Sequence, residues 1–174
     1  NYSTLNLTVD CGRKTHEPDD YYCDQHLVER LVFDAKNTFA AFEGASWKDV
    51  DHWFKAYNIT LRFVATMSGL TRWEYISKEV ESNTKKEFGD WHSKAIDETW
   101  YKSAVIQHRY DPESFVYSVP FDLQENEEVM VTASYAVYLS DAETNAPGCV
   151  VGFQFAHKNF VEIVKKVTEH VAVS

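Results

Sequence analysis

The sequence predicts an α+β domain in which helices flank one mostly antiparallel sheet, with a long helix at its N-terminal end. Two observations predict this class. Apolar residues recur with helical spacing near the beginning and end of the chain, and apolar and polar residues alternate along several runs between them. The chain has 174 residues, which fits one domain that buries roughly 70% of its unfolded surface. We therefore assign this domain to residues 24–174 and an irregular, partly glycosylated leader to residues 1–23.

The first helix is predicted between Asp24, a good N-cap residue, and Gly44, a common residue after a helix C-terminus. Its apolar residues recur on one side, at Leu27, Leu31, Ala35, Phe39 and Phe42. Ser46 can cap a second helix that runs to Ala56.

A β-hairpin is predicted next, from residues 59–66 and 70–76. Apolar and polar residues alternate in the first run, and Met67-Ser68-Gly69 supplies the turn between the two runs. The charged interval 77–90 shows no convincing period. It is therefore predicted to be a loop with some helix.

A second helical pattern covers residues 96–107 and carries Trp100 and Tyr101. The residues Asp111-Pro112-Glu113 are typical of a turn. We therefore predict that this turn leads the chain into a strand over residues 114–121.

The longest strand is predicted over residues 128–140, where the period of two is clearest. Its more apolar side is expected to be the buried one and consists of Val129, Val131, Ala133, Tyr135, Val137 and Leu139. Residues 149–155 are predicted to form the last strand. The closing helix has its apolar stripe at Phe160, Val164, Val167 and Val171.

The charge of the chain excludes several classes of partner. Its 17 basic and 27 acidic residues give a formal net charge of −10. This charge would repel phosphates and anionic lipid headgroups, and no basic stripe compensates for it, so no nucleic-acid partner is expected. No apolar run approaches the roughly 20 residues that cross a bilayer. We therefore expect the protein to meet a membrane only through regions outside this chain.

Asparagine sequons and cysteines indicate a secreted or cell-surface origin. The three Asn-x-Ser/Thr sequons, which are predicted glycosylation sites, lie at Asn1, Asn6 and Asn58. Cys11 and Cys23 enclose a polar segment with too few apolar residues to hold its shape by burial, so we expect a disulfide between them; two free thiols are the alternative. Cys149 lies in an apolar strand and is predicted to be a buried free thiol, although it could also pair with a polypeptide outside this chain.

The sequence contains no motif of a known catalytic or metal-binding site. Its seven histidines include no HExxH pair and no Cys/His spacing suited to zinc, and there is no GxSxG, Walker-type or GxGxxG motif. The calcium-loop pattern of alternating aspartates is also absent. We therefore predict that the protein is not an enzyme and carries neither a metal nor a cofactor.

One group of aromatic and polar residues could form a ligand site. Its candidate binding residues are Arg72, Trp100, Tyr101, Tyr117 and Asp122, with Trp73 beside the arginine. An amino-acid ligand needs donors for its carboxylate, a carboxylate for its ammonium group and an apolar wall, and this set could supply all three. The alternative interpretation is an ordinary aromatic core with Arg72 and Asp122 at the surface.

Several segments resemble the alpha-2-delta auxiliary subunits of voltage-gated calcium channels. The longest are residues 23–35, CDQHLVERLVFDA, and residues 62–72, RFVATMSGLTR. Further similar stretches are Trp100-Tyr101, Ser114 to Tyr117, Val129 to Ser134 and Val150 to Gly152. The resemblance spans residues 23 to 165, which makes it more specific than any of its motifs alone.

The resemblance implies a fold and a role. Members of this family carry a von Willebrand A domain and tandem Cache domains outside the cell, raise surface expression of the channel pore and tune its gating. This chain has no Asp-x-Ser-x-Ser motif, so the resemblance is to a later, Cache/PAS-like region. It implies a non-catalytic domain at the extracellular face of the plasma membrane, delivered by the secretory pathway. The implied partners are the pore subunit and other domains of the same auxiliary subunit.

The resemblance also implies a second function, a small-molecule sensor. Related Cache domains bind amino acids through an Arg-x-Trp-Tyr helix motif and an aspartate on the last strand. In this chain Trp100 and Tyr101 match, but Glu98 stands in the position of the arginine and Gln154 in that of the aspartate. Both changes weaken an amino-acid site unless Arg72 supplies the missing positive charge from elsewhere.

Overall fold

The structure, a computed structural model, describes residues 24–44, 56–76, 87–119, 129–138 and 147–172. Its helices are α1 (Gln25–Gly44), α2 (Phe88–Trp91), α3 (Thr99–Gln107) and α4 (His157–Ala172), with a 3-10 turn at Ala95–Asp97. Its strands are β1 (Ile59–Thr66), β2 (Thr71–Tyr75), β3 (Val116–Ser118), β4 (Met130–Tyr138) and β5 (Pro147–Ala156). The predicted α+β fold class is therefore confirmed, with an antiparallel sheet, flanking helices and a long N-terminal helix.

The strands form a five-stranded sheet in the order β2-β1-β5-β4-β3, and every neighbouring pair is antiparallel. Phe63 of β1 pairs with Trp73 on one side and with Gly152 on the other, and Gly152 pairs in turn with Ser134. Alternate residues of a strand point to opposite faces. These four residues therefore share one face, which we call the α3 face because α3 packs on it.

The opposite face, which we call the α1 face, contacts α1 and α4. Arg62 and Arg72 reach backbone atoms of α1 from this face. Under α4, the rings of Phe155 and Phe160 lie 6.0 Å apart, and Val131 belongs to the same buried cluster. Helices thus cover parts of both faces, and this double cover determines which residues are buried.

The local signals at the first helix and the hairpin are confirmed. Oδ1 of Asp24 accepts hydrogen bonds from the backbone N–H groups of His26 (3.0 Å) and Leu27 (3.2 Å), as expected of an N-cap. The hairpin turn closes through a bond from the Gly69 N–H to the Thr66 carbonyl (3.1 Å). Gly69 has φ of 94°, a left-handed conformation that favours glycine. The predicted turn at Asp111 also forms, because the Ser114 N–H donates to the Asp111 carbonyl (3.3 Å).

Two predicted elements have the wrong bounds. The helix predicted over residues 96–107 is interrupted at Glu98, which is extended (φ −67°, ψ 147°) and separates the 3-10 turn from α3. The strand predicted over residues 114–121 forms β-structure over Val116–Ser118 among the described residues, because β3 pairs with β4 through three residues there. Residues 120 and 121 lie outside the described part of the chain.

The prediction that one side of β4 is buried was incomplete. Val131 and Ala133 are fully buried as expected, but so are Thr132, Ser134 and Ala136 on the other side of the strand. The physical reason is that α3 and α4 cover opposite faces of β4, so neither face of its centre meets solvent. Tyr135 and Val137, on the side predicted to be buried, remain partly exposed.

Some predicted features lie wholly or partly outside the described residues. The second helix is described at residues 56 and 57, which are helical, and the interval 77–90 is described from residue 87, where α2 supplies the helix expected in it. No helix in the described ranges combines the length and the apolar character that crossing a membrane would need.

Candidate functional site

The α3 face carries a cluster of aromatic rings, which we call the ring cluster: Phe63, Trp73, Phe88, Trp100 and Tyr101, with the imidazole of His92 beside them. The ring centroid of Trp100 lies 4.7 Å from that of Phe63 and 6.4 Å from that of Phe88. Phe63 and Phe88 stack at 5.1 Å. Only 3% of the Trp100 surface and 6% of the Tyr101 surface remain exposed. These two candidate residues thus lie in the hydrophobic core.

The helix α3 directs both residues inward because of where it begins. Glu98 is extended, so Trp100 and Tyr101 lie in the first turn of α3, and Ala104 follows on the same buried side. The backbone of the helix is also tied to the sheet, because Ser134 Oγ donates to the Trp100 carbonyl (2.9 Å) and Tyr138 Oη donates to the Val105 carbonyl (3.3 Å). The position of α3 is therefore determined by both apolar packing and polar contacts.

Two glycines give the rings their space. A Cβ atom at Gly89 would lie 2.5 Å from Cη2 of Trp73. A Cβ atom at Gly152 would lie 2.6 Å from Cζ of Phe63 and would also meet the carbonyl oxygen of Ala133. Protein interiors are close-packed, so these rings occupy space that other side chains would otherwise fill. The space behind Trp100 is occupied by Phe63 and Phe88.

The ring cluster contains buried polar atoms with no hydrogen-bond partner among the described residues. They include the Nε1 of Trp100 and the hydroxyl of Tyr101. Buried polar groups in proteins are usually hydrogen-bonded, so these two need an explanation. His92 Nδ1 lies 3.3 Å from Glu98 Oε1, within ion-pair distance but outside hydrogen-bond geometry. Glu98, which directly precedes α3, thus places a carboxylate beside the imidazole of His92.

Arg72 lies on the other side of the sheet from Trp100 and Tyr101. Its Nη2 donates to the Ala35 carbonyl (3.1 Å), its Nε donates to Thr38 Oγ1 (3.2 Å), and its guanidinium lies 5.5 Å from the ring centre of Phe39. The structure therefore does not bring Arg72 together with the aromatic residues of α3. The physical reason is strand geometry, since Arg72 and Trp73 are adjacent and point to opposite faces.

Among the other candidate ligand and glycosylation sites, the structure describes Tyr117 and Asn58. Tyr117 lies on the α1 face, with its ring 5.4 Å from that of Phe160 and about half of its surface exposed. Asp122, the sequons at Asn1 and Asn6, and the cysteines Cys11 and Cys23 lie outside the described residues. Asn58 is exposed and has φ of 52°, a left-handed conformation that asparagine tolerates better than most residues. A glycan at Asn58 would meet solvent.

Cys149 is a free cysteine on β5 and is half-buried. Burial raises the pKa of its thiol, and the carboxylate of Asp34 raises it further. Burial also raises the pKa of Tyr101, with smaller contributions from Cys149, Tyr138 and Asp34. Thiolates are the reactive form of cysteine, so the environment of Cys149 disfavours nucleophilic chemistry. Within the described ranges, no group of three or more His, Cys, Asp or Glu side chains could hold a metal ion.

A surface groove of about 510 Å³ lies at the turn end of the β1–β2 hairpin, between α1 and the start of β5. We call it the α1 groove. The residues that line it include Leu27, Arg30, Phe33, Met67, Ser68 and Pro147. Three of its apolar side chains are strongly exposed: Leu27 at 44%, Phe33 at 67% and Met67 at 54%. Charged residues, among them Glu29 and Asp34, also line the groove. A hydrogen bond from Ser68 Oγ to Asp34 Oδ2 (2.5 Å) joins the hairpin turn to α1 beside it.

Sequence reasoning missed the partners that give the ring cluster its shape. Phe88 was assigned to a charged interval without period, and the contact between Phe63 and Trp100 joins residues 37 positions apart. Gly89 and Gly152 are the positions from which this packing could have been predicted, because a glycine inside a strand or helix often marks the close approach of another group. The role of Arg62 was also missed: its Nη2 donates to the Phe42 carbonyl (3.2 Å) and to Glu74 Oε2 (2.6 Å).

Comparison with solved structures finds several similar chains, and two of them are sensory domains of a Campylobacter jejuni chemoreceptor. One is the ligand-binding domain of the Campylobacter jejuni chemoreceptor Tlp3 in complex with L-valine, at 14% identity and a TM-score of 0.40. The other is the sensory domain of the same chemoreceptor, at 14% identity and a TM-score of 0.39. Each alignment covers 77% of this chain, which spans 58% and 59% of the two solved chains. At this similarity the likeness carries no inference about ligands.

Comparison at the sequence level gives a more extensive match. Residues 9–173 match the family described as neuronal voltage-dependent calcium channel alpha 2acd. No match was found among the curated proteins. The family match covers nearly the whole chain and includes every described element.

Proposed function

The chain belongs to the neuronal voltage-dependent calcium channel alpha 2acd family, and from this premise we propose that it is a non-catalytic extracellular domain of an alpha-2-delta auxiliary subunit. In this role it supports assembly of the channel, surface expression of the pore subunit and modulation of gating. Its proposed partners are the pore subunit and the other domains of the auxiliary subunit. It reaches the extracellular face of the plasma membrane by the secretory pathway and carries glycans at its sequons.

The observation that carries this proposal is the family match over residues 9–173. The architecture supports it, because Phe63 and Phe88 fill the space next to Trp100 where a ligand would otherwise contact the ring. A filled aromatic core stabilises a fold without requiring a small molecule. The raised pKa of the Cys149 thiol also supports a non-catalytic role, since it lowers the thiolate fraction at neutral pH.

The proposal is tested by removing this region from the full auxiliary subunit and co-expressing that subunit with the pore. Surface biotinylation measures both subunits, and the surface amount of the pore is divided by that of the auxiliary subunit. We expect this ratio and the calcium current to fall. A point variant, Trp100→Ala, should act in the same direction because it removes a buried ring, whereas Trp91→Ala, at an exposed tryptophan, is the matched control. Unchanged pore delivery and current after deletion would contradict the proposal.

A second candidate function is a small-molecule sensor, and the buried polar atoms of Trp100 and Tyr101 favour it. The indole N–H is a donor and the phenol hydroxyl is a donor or acceptor, so a bound polar ligand could satisfy both. Because the charged groups beside this cluster include the carboxylates of Glu98, near His92, and Glu87, bonded to Trp73, an amine fits it better than a carboxylate.

Thermal-shift measurements with the common amino acids and their amine derivatives decide between the two candidates. A ligand at a hundred times its Kd should stabilise the fold by about 2.7 kcal/mol. Trp100→Phe keeps a ring but removes the N–H group, so it should reduce the shift, whereas Trp91→Phe should not. Absence of a shift with every compound would exclude the sensor function for these ligands.

A further inference from the structure

The sequon formed by Asn58, Ile59 and Thr60 lies where two helical residues lead into β1, and its two ends have different surroundings. Asn58 is exposed and left-handed (φ 52°), so a glycan on it would meet solvent. Thr60 lies on β1 and is partly buried. A glycosylating enzyme needs both residues, because the acceptor asparagine must be followed two positions later by a serine or threonine hydroxyl. The availability of this sequon therefore depends on what holds Thr60.

The hydroxyl of Thr60 is bound by the sheet. Its Oγ1 donates to the backbone carbonyl of Gln154 on β5 (3.1 Å). The register between β1 and β5 shifts between Ile59 and Leu61, so Thr60 is the extra residue of a β-bulge. A bulged residue has no residue directly opposite it on the partner strand, and here the hydroxyl makes the contact with β5. The group that defines the sequon is thus part of the β1–β5 contact.

The backbone of the sequon is also held by neighbouring strands. Ile59 pairs with Phe155 of β5, and the Thr60 carbonyl accepts a hydrogen bond from the N–H of Ile76, which follows β2 (3.0 Å). An enzyme that glycosylates Asn58 has to place all three sequon residues in its own site. The contacts with Gln154, Phe155 and Ile76 prevent this while the sheet is closed.

We propose that Asn58 accepts its glycan only before β1 pairs with β5, so that the folded domain carries a glycan that it cannot acquire. This inference rests on the secretory route in the proposed function. In the transfer, the amide nitrogen of Asn58 forms a bond to C1 of the first sugar of a lipid-linked oligosaccharide. The bond from C1 to the lipid diphosphate breaks, and one amide proton is lost to solvent.

The order of the strands sets the time available for this transfer. β5 lies between β1 and β4 in the sheet, and Gln154 follows Thr60 by 94 residues. The β1–β2 hairpin alone holds the sequon weakly, because an isolated two-stranded hairpin is marginally stable. At about 5–20 residues per second, synthesis of the intervening chain takes roughly 5–20 s. The Thr60 hydroxyl is therefore available to the enzyme during that interval.

Glycosylation in vitro of the full chain, produced without glycans and folded, tests the proposal. The chain is incubated with solubilised oligosaccharyltransferase and a lipid-linked oligosaccharide, and mass spectrometry measures occupancy at Asn58. A synthetic peptide of residues 56–64 is the open reference. We expect the folded chain to be modified at least about tenfold more slowly than the peptide, because the reaction follows the small population in which β1 is open.

A variant that opens the β1–β5 pairing should restore the reaction. A Cβ atom at Gly152 of β5 would lie 2.6 Å from Cζ of Phe63 and would also meet the carbonyl oxygen of Ala133, so Gly152→Val displaces β5. Its rate of modification at Asn58 should approach that of the peptide. Ser118→Val adds the same side chain to β3, which pairs with β4 and not with β1, and should leave the slow rate unchanged.

Three results would overturn the proposal. Equal rates for the folded chain and the peptide would show that the closed sheet does not protect the sequon. A Gly152→Val rate as slow as that of the parent would show that something other than β1–β5 pairing blocks the transfer. An unmodified peptide would show that Asn58 is not an acceptor. Because the assay contains no pore subunit, none of these results depends on the proposed role in channel assembly.

Discussion

The two faces of the sheet hold their helices by different interactions. On the α3 face, the rings of Trp100 and Phe63 contact directly and Ala104 is buried beneath the helix. On the α1 face, the contacts of α1 that the structure describes include the guanidinium groups of Arg62 and Arg72, which donate to backbone carbonyls of the helix. Burial of rings is non-directional and cooperative, whereas these hydrogen bonds depend on a few atoms.

The burial of the two helices reflects this difference. Within the described part of α1, Thr38 is the residue that reaches full burial, and the predicted apolar stripe is half-buried or, at Leu27, exposed. Thr38 itself accepts a bond from Arg72 and donates to the Asp34 carbonyl (2.7 Å). The contrast indicates that α1 can separate from the sheet at a lower free-energy cost than α3. The α1 helix should therefore behave as a separate unit of local stability.

Removing the central ring of the α3 face should have the largest effect. Trp100→Ala is expected to lower the free energy of unfolding by about 3–5 kcal/mol, because it leaves a cavity among Phe63 and Phe88. Trp91→Ala removes the same side chain where 56% of it is exposed and should cost about 1 kcal/mol or less. Urea unfolding followed by circular dichroism measures both. Equal losses in the two variants would contradict the assignment of Trp100 to the core.

Removing an arginine from the α1 face should have a smaller and more local effect. Arg72→Met keeps much of the aliphatic stem but loses the bonds to Ala35 and Thr38, at a cost of about 1.5–3 kcal/mol. Hydrogen exchange measured by mass spectrometry should show faster exchange in α1 and unchanged exchange in α3. Arg30→Met, on the exposed side of α1, is the control. Faster exchange in both helices would show that the two faces are not independent.

Filling the space that a glycine leaves tests how tightly the ring cluster is packed. Gly89→Ala places a methyl group against the Trp73 ring and should destabilise the fold by about 1–2 kcal/mol. The three nearest atoms to that methyl group all belong to Trp73, so the cost should be smaller when Trp73 is leucine. A double-mutant cycle in urea measures this coupling. Additive effects of Gly89→Ala and Trp73→Leu would contradict the close contact.

The sequence predicted the features that depend on neighbouring residues. The Asp24 cap and the Met67 to Gly69 turn require only the chemistry of a few adjacent positions, and both are confirmed. The period of two along β4 likewise predicts a strand directly. The family resemblance is confirmed by the match over residues 9–173.

The features that the sequence did not predict depend on distant segments. The burial of both faces of β4 requires helices from two other parts of the chain, and the helical spacing through residues 96–107 contains no sign that Glu98 is extended. The orientation of Arg72 was within reach of sequence reasoning. Because it neighbours Trp73 on one strand, the two side chains cannot both face α3. The candidate ligand set thus joined residues that strand geometry separates.

The smallest expected effect joins the two faces: burial raises the pKa of both Cys149 and Tyr101, and the carboxylate of Asp34 on α1 adds a smaller contribution to each. Each of these groups is neutral when protonated, and burial is the largest cause of both shifts. A group with a higher pKa in the folded state contributes stability that is complete below its unfolded pKa and is lost as pH rises through its folded pKa. Stability should therefore fall above the ordinary thiol pKa of 9.0, and further above the ordinary phenol pKa of 10.0.

Urea unfolding midpoints measured across this pH range should fall less steeply for Cys149→Ala than for the parent protein. Tyr117→Phe, at an exposed tyrosine, is the control. If the Cys149→Ala profile runs parallel to that of the parent, the thiol is not buried enough to couple folding to pH.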